Sequence, residues 1–291
     1  MSIKESPAAD ALFLLILNLM KPVLTAILLF VALLSSAQNG LPPNAGAKGA
    51  AMGNISAAFQ GIYSAFSNPA GLATLPHWGV AAMGEQRFLI PEIRSVAAAG
   101  AVTSGIGTFG VHLHYFGLEE YNEQRLGLLY ARPLFEYLSL GISLDLLNTR
   151  IPDYGSQLSA TGSVGLQVKL ADPLWLGVHL FNPFRIRRNN GEYYPTLLRA
   201  GFSYQASERV LLCGEAEKDI DFPLRWKGGL EYRLLDVLSL RGGFSTQPAQ
   251  GTFGASLSWK TGLSLDFAFQ WNQLLGWTPA FSIIYQAPER D

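Results

Sequence analysis

Two short runs joined only by Thr261-Gly262 alternate apolar and polar residues without a break. Leu257 and Trp259 alternate with Ser256 and Ser258, and Leu263, Leu265, Phe267, Phe269 and Trp271 alternate with Ser264, Asp266, Ala268 and Gln270. Side chains in a strand point to opposite faces in turn, so this pattern gives a hairpin with one apolar face and one polar face. A soluble hairpin would bury the apolar face under a second layer. The pattern recurs along most of the chain, however, and no helical segment is available to form that layer. A sheet closed into a barrel satisfies it, with lipid outside and a polar lumen inside. The sequence therefore predicts an all-β fold, a transmembrane antiparallel β-barrel.

About fourteen strand-like runs follow from Trp78 onward, in keeping with even-numbered bacterial barrels. They are 79–89, 94–103, 106–117, 122–132, 137–148, 158–170, 174–181, 194–205, 209–218, 224–234, 237–245, 251–260, 263–271 and 277–286. Most are long enough to cross a bilayer when tilted. Their connections are sorted by length. Ser104-Gly105, Pro133-Leu134-Phe135, Ala171-Asp172-Pro173, Ala206-Ser207-Glu208, Asp236 and Thr261-Gly262 are very short, whereas 148–156, 182–193, 219–223, 246–250 and 272–276 are longer. Outer-membrane barrels have short periplasmic turns and longer external loops, a sorting that a soluble sandwich has no reason to adopt. The barrel is expected over 78–287, with a short tail at 288–291.

Composition agrees with this reading: 15% of residues are charged, 49% are hydrophobic and 30 are glycine. A formal net charge of -1 gives no footprint for nucleic acid. The single cysteine, Cys213, excludes an intramolecular disulfide framework and a Cys-based zinc site. No G-x-S-x-G, no Gly-rich phosphate loop entering a helix and no H-E-x-x-H is present, so neither catalysis nor a cofactor nor a metal is expected.

The first segment reads as an address label. Leu12 to Leu34 is apolar but carries Asn18, Lys21 and Pro22 in its middle, which suits a membrane helix poorly. Read from Met20 it has a short basic start, an apolar core over Val23–Leu34 and a small-residue exit at Ser35-Ser36-Ala37. That is the grammar of a cleaved secretory signal occupying 1–37, with cleavage before Gln38 and a start codon at Met20.

The segment that follows, 38–77, differs in kind. Asn44 to Leu75 is dominated by small residues and has little alternation, so it can pack inside something else but cannot form a core of its own. Its AGAKGAAMG, followed by SAFSNPAGLA, resembles the N-terminal signature of the PorV/PorQ family. These are outer-membrane barrels of the type IX secretion system, related in architecture to FadL-type fatty-acid transporters. The resemblance implies an N-terminal plug or hatch inside the barrel, with Asn68, Pro69, Ala70 and Gly71 at its turn. It also implies a non-enzymatic role in the outer membrane of a Gram-negative, Bacteroidota-like bacterium. Type IX components or secreted cargo would be the partners. The alternative it leaves open is a FadL-like transporter of hydrophobic small molecules. Gly53-Asn54 and Gly61-Ile62-Tyr63 depart from the family's usual pattern.

Alternation assigns the faces. Leu138, Leu140, Ile142, Leu144 and Leu146 point to lipid, and Ser139, Gly141, Ser143 and Asp145 point inward. Glu215 and Glu217 on one run, and Arg225 and Lys227 on the next, place carboxylates beside cations on the lumen side, where Arg241 and Asp266 can join them. This network either fills and stiffens the lumen or lines a selective polar path. His112 and His114 share the lumen face at i, i+2, with no third metal ligand near in sequence. Arg185, Arg187 and Arg188, in the longest loop, are the basic group best placed to touch anionic lipopolysaccharide or a partner.

Overall fold

A computed structural model describes residues 45–152, 155–188 and 191–288 of the chain. The expected signal segment 1–37, residues 38–44 and residues 289–291 of the tail lie outside the described residues. The strands are β1 (Trp78–Gln86), β2 (Arg94–Ser104), β3 (Gly107–Gly117), β4 (Asn122–Phe135), β5 (Leu138–Ile151), β6 (Gly155–Ala171) and β7 (Leu174–Phe181). They continue as β8 (Leu197–Ser207), β9 (Val210–Asp219), β10 (Arg225–Leu235), β11 (Leu238–Ser245), β12 (Gln250–Ser258), β13 (Leu263–Asn272) and β14 (Gly276–Gln286).

Each strand pairs antiparallel with its neighbours in sequence, and β14 pairs with β1 in a register running from Gly79↔Gln286 to Glu85↔Ala280. The result is a closed barrel of 14 strands. Closure leaves no row of unpaired backbone groups, the condition for a sheet that stands in hydrocarbon. The hairpin at Thr261-Gly262 forms as its alternation requires, with Leu257 opposite Leu265 and Ser258 opposite Ser264.

The alternation becomes two surfaces. On β5, Leu144 is 68% exposed and Asp145 is 1% exposed, and the same contrast runs round the ring. The outer surface is a continuous apolar band in which Phe253 stacks on Phe269 and Trp271 leans on Trp277.

Several boundaries differ from the sequence reading, and β4 continues to Phe135 through the turn expected at 133–135. β6 begins at Gly155, and β5 continues to Ile151, so the expected loop at 148–156 is largely hairpin. Ser156, Gln157 and Ser159 are polar on both sides of the strand there, which leaves no apolar alternation to read. β8 begins at Leu197 rather than Tyr194. Pro195 has no N–H for the ladder, and the Tyr194 N–H donates instead to the Ile186 carbonyl at 3.0 Å. β1 stops at Gln86, because Phe88 turns into the left-handed region (φ 57°) and its N–H donates to Thr278 Oγ1 at 3.0 Å.

Residues 45–75 lie within the barrel as α1 (Gly46–Ala51) and two 3-10 turns, Gly61–Phe66 and Pro69–Thr74. The hydrophobic core is accordingly inside the ring, between this segment and the wall. Ile62, Phe66, Leu72 and Leu75 pack on Ala81, Ala97, Ala99 and Ala101. Met52, Ile55 and Phe59 cover Cys213, and Ala47, Ala50 and Ala51 meet Ala268 and Ala280. Small residues on both sides let backbone approach backbone, which explains the composition of this stretch.

Candidate functional site: the segment inside the barrel

Many contacts tie the inner segment to the wall, and four anchor points among them centre on Asn68, Glu215, Asp266 and His112. The first is Asn68, which is fully buried. Its Oδ1 accepts from the Ala70 N–H at 3.1 Å, so it caps the second 3-10 turn, with Pro69 at the first position where a missing N–H costs nothing. Its Nδ2 donates to the Ala57 carbonyl at 2.6 Å and reaches the Leu166 and Val178 carbonyls of β6 and β7, each at 3.3 Å. The wall under Asn68 is glycine by necessity. A Cβ on Gly165 would stand 1.8 Å from Asn68 Oδ1, and one on Gly177 would stand 2.0 Å from the Ala57 carbonyl oxygen. Gln167 completes the seat, with Nε2 donating to the Phe59 carbonyl at 2.7 Å. Ala70 and Gly71, the rest of the expected turn, are buried against the same wall.

The second anchor is carboxylate to backbone. Glu215 Oε2 accepts the N–H groups of Ser56 and Ala57 at 2.8 and 2.7 Å. Its other oxygen accepts from Lys227 Nζ at 2.7 Å, and Lys227 also donates to Glu217 at 2.8 Å and to the Asn54 carbonyl at 2.9 Å. Arg199 Nε closes on Glu217 at 2.7 Å, and Arg225 Nη1 approaches it at 3.4 Å. The third anchor is on β13. Asp266 accepts from Arg241 Nη1 at 2.6 Å and from the Tyr63 hydroxyl at 3.1 Å.

The fourth anchor involves the histidines. His112 places Nδ1 2.9 Å from the Ala65 carbonyl and Nε2 3.0 Å from Asp145 Oδ1, while Asp145 also accepts from Arg125 Nε at 2.8 Å. His114 turns to Ser95 Oγ at 2.7 Å. The two rings therefore serve different partners, and no cluster of three potential metal ligands occurs among the described residues.

The structure thus places Asp145, Glu215, Glu217, Arg225, Lys227, Arg241 and Asp266 on the lumen side, but as three separate clusters. Each is centred on carboxylates, and each holds a different part of the inner segment. Gln167, Tyr63 and Arg125 were not singled out from sequence. Gln167 could have been found, because its inward parity on a run of apolar and small residues marks it. Tyr63 and Arg125 acquire meaning only once distant strands meet.

The external cluster sits on aromatic rings. Arg185 and Arg187 lie 4.4 and 4.7 Å from the Tyr193 ring centre, and Arg188 lies 4.5 Å from that of Tyr194. Arg185 pairs with Asp221 at 2.9 Å, and Arg188 pairs with Glu123 at 2.8 Å. Beside that pair, burial and then the Glu123 carboxylate push the Tyr121 phenol up to about 12. Asn182 pins the base of this loop. It is fully buried, its Nδ2 donates to the Tyr194 carbonyl at 3.0 Å, and its Oδ1 accepts from Thr161 Oγ1 at 2.8 Å.

No protein-family model matches the chain, and no curated protein matches it. Solved structures do match. The monoaromatic hydrocarbon channel CymD is 15% identical, with a TM-score of 0.63, over 87% of this chain and 100% of that one. A Pseudomonas aeruginosa FadL homologue is 12% identical, with a TM-score of 0.63, over 86% and 100%. The Pseudomonas putida toluene transporter TodX is 13% identical, with a TM-score of 0.61, over 86% and 98%. The fold is that of FadL-like barrels of 14 strands.

Proposed function

We propose that this chain is an exported outer-membrane channel for a hydrophobic small molecule, with residues 45–75 as a hatch that closes the lumen and Asn68, Pro69, Ala70 and Gly71 as its turn. The observation that carries the proposal is a closed apolar-skinned ring whose own N-terminal segment occupies its lumen. Support comes from the fold that the chain shares with CymD and TodX, whose descriptions name a monoaromatic hydrocarbon channel and a toluene transporter. The apolar band sets the ring in a bilayer, and the sorted turns put the short connections in the periplasm. On this reading the carboxylate clusters are the hatch's seat and carry no catalysis. Arg185 and Arg187 are the rim contacts to lipopolysaccharide phosphate.

The test is uptake of labelled toluene, and separately of a labelled long-chain fatty acid, by cells lacking their own channel and expressing this chain. Uptake should exceed that of cells carrying no copy of this chain and that of cells expressing a variant with the hatch tethered to the wall. Equal uptake in all three refutes the channel. Export is checked by sequencing the mature N-terminus, which should begin at Gln38.

A second reading, a type IX secretion component of the PorV/PorQ kind in a Bacteroidota-like cell, rests on the AGAKGAAMG and SNPAGLA motifs alone. Recovery of secretion components or their cargo with the tagged protein from outer membranes would favour it. Recovery of neither would remove it.

A further inference from the structure

Between the inner segment and the wall, at the short-turn end of the barrel, lies a cavity of about 580 Å³. That is within the ~300–1,000 Å³ typical of small-molecule sites. Two cations from different parts of the protein line it: Lys48 of α1, and Arg233 at an inward position of β10. The Lys48 ammonium stands 5.2 Å from the Phe59 ring centre and 5.0 Å from that of Tyr63. Its carboxylate neighbour is Glu231 at 3.8 Å, beyond hydrogen-bond reach, and Glu231 already accepts from Arg241 Nε at 2.6 Å. Among the described residues the ammonium therefore has no hydrogen-bond acceptor. Among the described residues Arg233 makes no ion pair, and the other carboxylate at the rim, Asp172, is held by Lys169 at 2.9 Å. Gln60 also lines the cavity, and its amide nitrogen is buried without a partner. Trp175 and Leu211 supply apolar surface on the wall side.

We propose that this cavity binds a small organic anion, with its carboxylate between Lys48 and Arg233 and its apolar body against Trp175 and Phe59. The chemistry follows from what the lining leaves unanswered. A cationic ligand would meet two cations and two carboxylates that other cations already hold, Glu231 by Arg241 and Asp172 by Lys169. A neutral one could offer the ammonium only an uncharged acceptor, whereas a carboxylate makes the stronger charge-assisted hydrogen bond. An inorganic anion would leave the aromatic wall unused. Because Lys48 belongs to the inner segment and Arg233 to the wall, the bound anion bridges the two. The site is separate from the Asn68 seat and is read by binding, so its test does not depend on what the barrel transports.

The experiment uses the processed full chain in detergent, titrated calorimetrically with 4-phenylbutyrate, with its neutral isostere 4-phenylbutanol and with inorganic phosphate. Saturable binding of 4-phenylbutyrate is expected, weakened about tenfold or more in Arg233→Gln and in Lys48→Gln and kept in Arg233→Lys. Phenylbutanol and phosphate should bind far more weakly and respond little to Arg233→Gln. Arg233 is exposed at the barrel mouth, so its variants should retain the folded-barrel shift on unheated gels, which separates lost binding from lost folding. The proposal is overturned if 4-phenylbutyrate does not bind, or if both glutamine variants bind it as the parent does. It is equally overturned if phenylbutanol or phosphate binds as tightly.

Discussion

Replacing Asn68 with alanine isolates the energy that seats residues 45–75 against the wall. The side chain makes one short bond to the Ala57 carbonyl at 2.6 Å and accepts one from the Ala70 N–H at 3.1 Å, both fully inside the protein. The Leu166 and Val178 contacts at 3.3 Å are longer and are directed to carbonyls of the wall ladder, so they add less. Each net hydrogen bond is worth about 1 kcal/mol, and the loss of a cap costs about 1 kcal/mol as well. The Ala57 carbonyl keeps a bond from Gln167 Nε2 at 3.2 Å, which spares the full penalty of an orphaned acceptor. The sum is about 2–3 kcal/mol, or roughly a 30- to 150-fold rise in the unseated population. The protein carries its own reporter, because Cys213 is its single cysteine and Phe59, two residues beyond Ala57, is among those covering it. With opening and closing fast relative to labelling, the rate of maleimide addition to Cys213 follows the open population. Asn68→Ala should raise that rate by the same factor, while the denatured proteins label alike. An unchanged rate would refute the seating role of Asn68.

Three further outcomes follow. Lys227→Met leaves the buried Glu215 without its cation, at a cost of about 3–5 kcal/mol, while Glu217 keeps Arg199 and Arg225; the midpoint of heat modification on gels should fall, and adding Glu215→Gln should recover part of the loss. Gly177→Val forces a side chain against the Ala57 carbonyl and should raise both Cys213 labelling and single-channel conductance, whereas Gly105→Val, with nothing within 4 Å of its Cβ position, should change neither. Leu144→Arg, near the middle of β5 on the apolar band, should destabilise the barrel in liposomes by about 2–4 kcal/mol in urea titrations; no loss would argue that this face does not meet lipid.

The barrel was legible because strand alternation is a local property. Each of the fourteen runs read from sequence became a strand of the ring, down to the hairpin at Thr261-Gly262. Alternation also put Asp145, Glu215 and Asp266 on the inner face. What could not be read was which inward residues would meet. Gly165 and Gly177 look like ordinary small residues in a strand until the hatch turn is laid over them. Lys48 is one cation in a small-residue stretch until Phe59 and Tyr63 fold back beside it. Such pairings, whether near or far in sequence, are set by how the segment curls, which no local period encodes. Asn182 was hidden for a different reason. Asn-Pro marks a turn, but its role as the buried pin of a long loop depends on Tyr194 and Thr161 arriving around it.

The inner segment touches the wall on nearly every side, through Ser282 of β14, Thr252 of β12, Glu215 of β9, Gln167 of β6 and His112 of β3. A body so closely fitted cannot be threaded through the mouth after the seam between β14 and β1 has joined. The earliest part of the chain must already be in place while later strands gather about it. The segment inside is then also the mandrel on which the cylinder is wound.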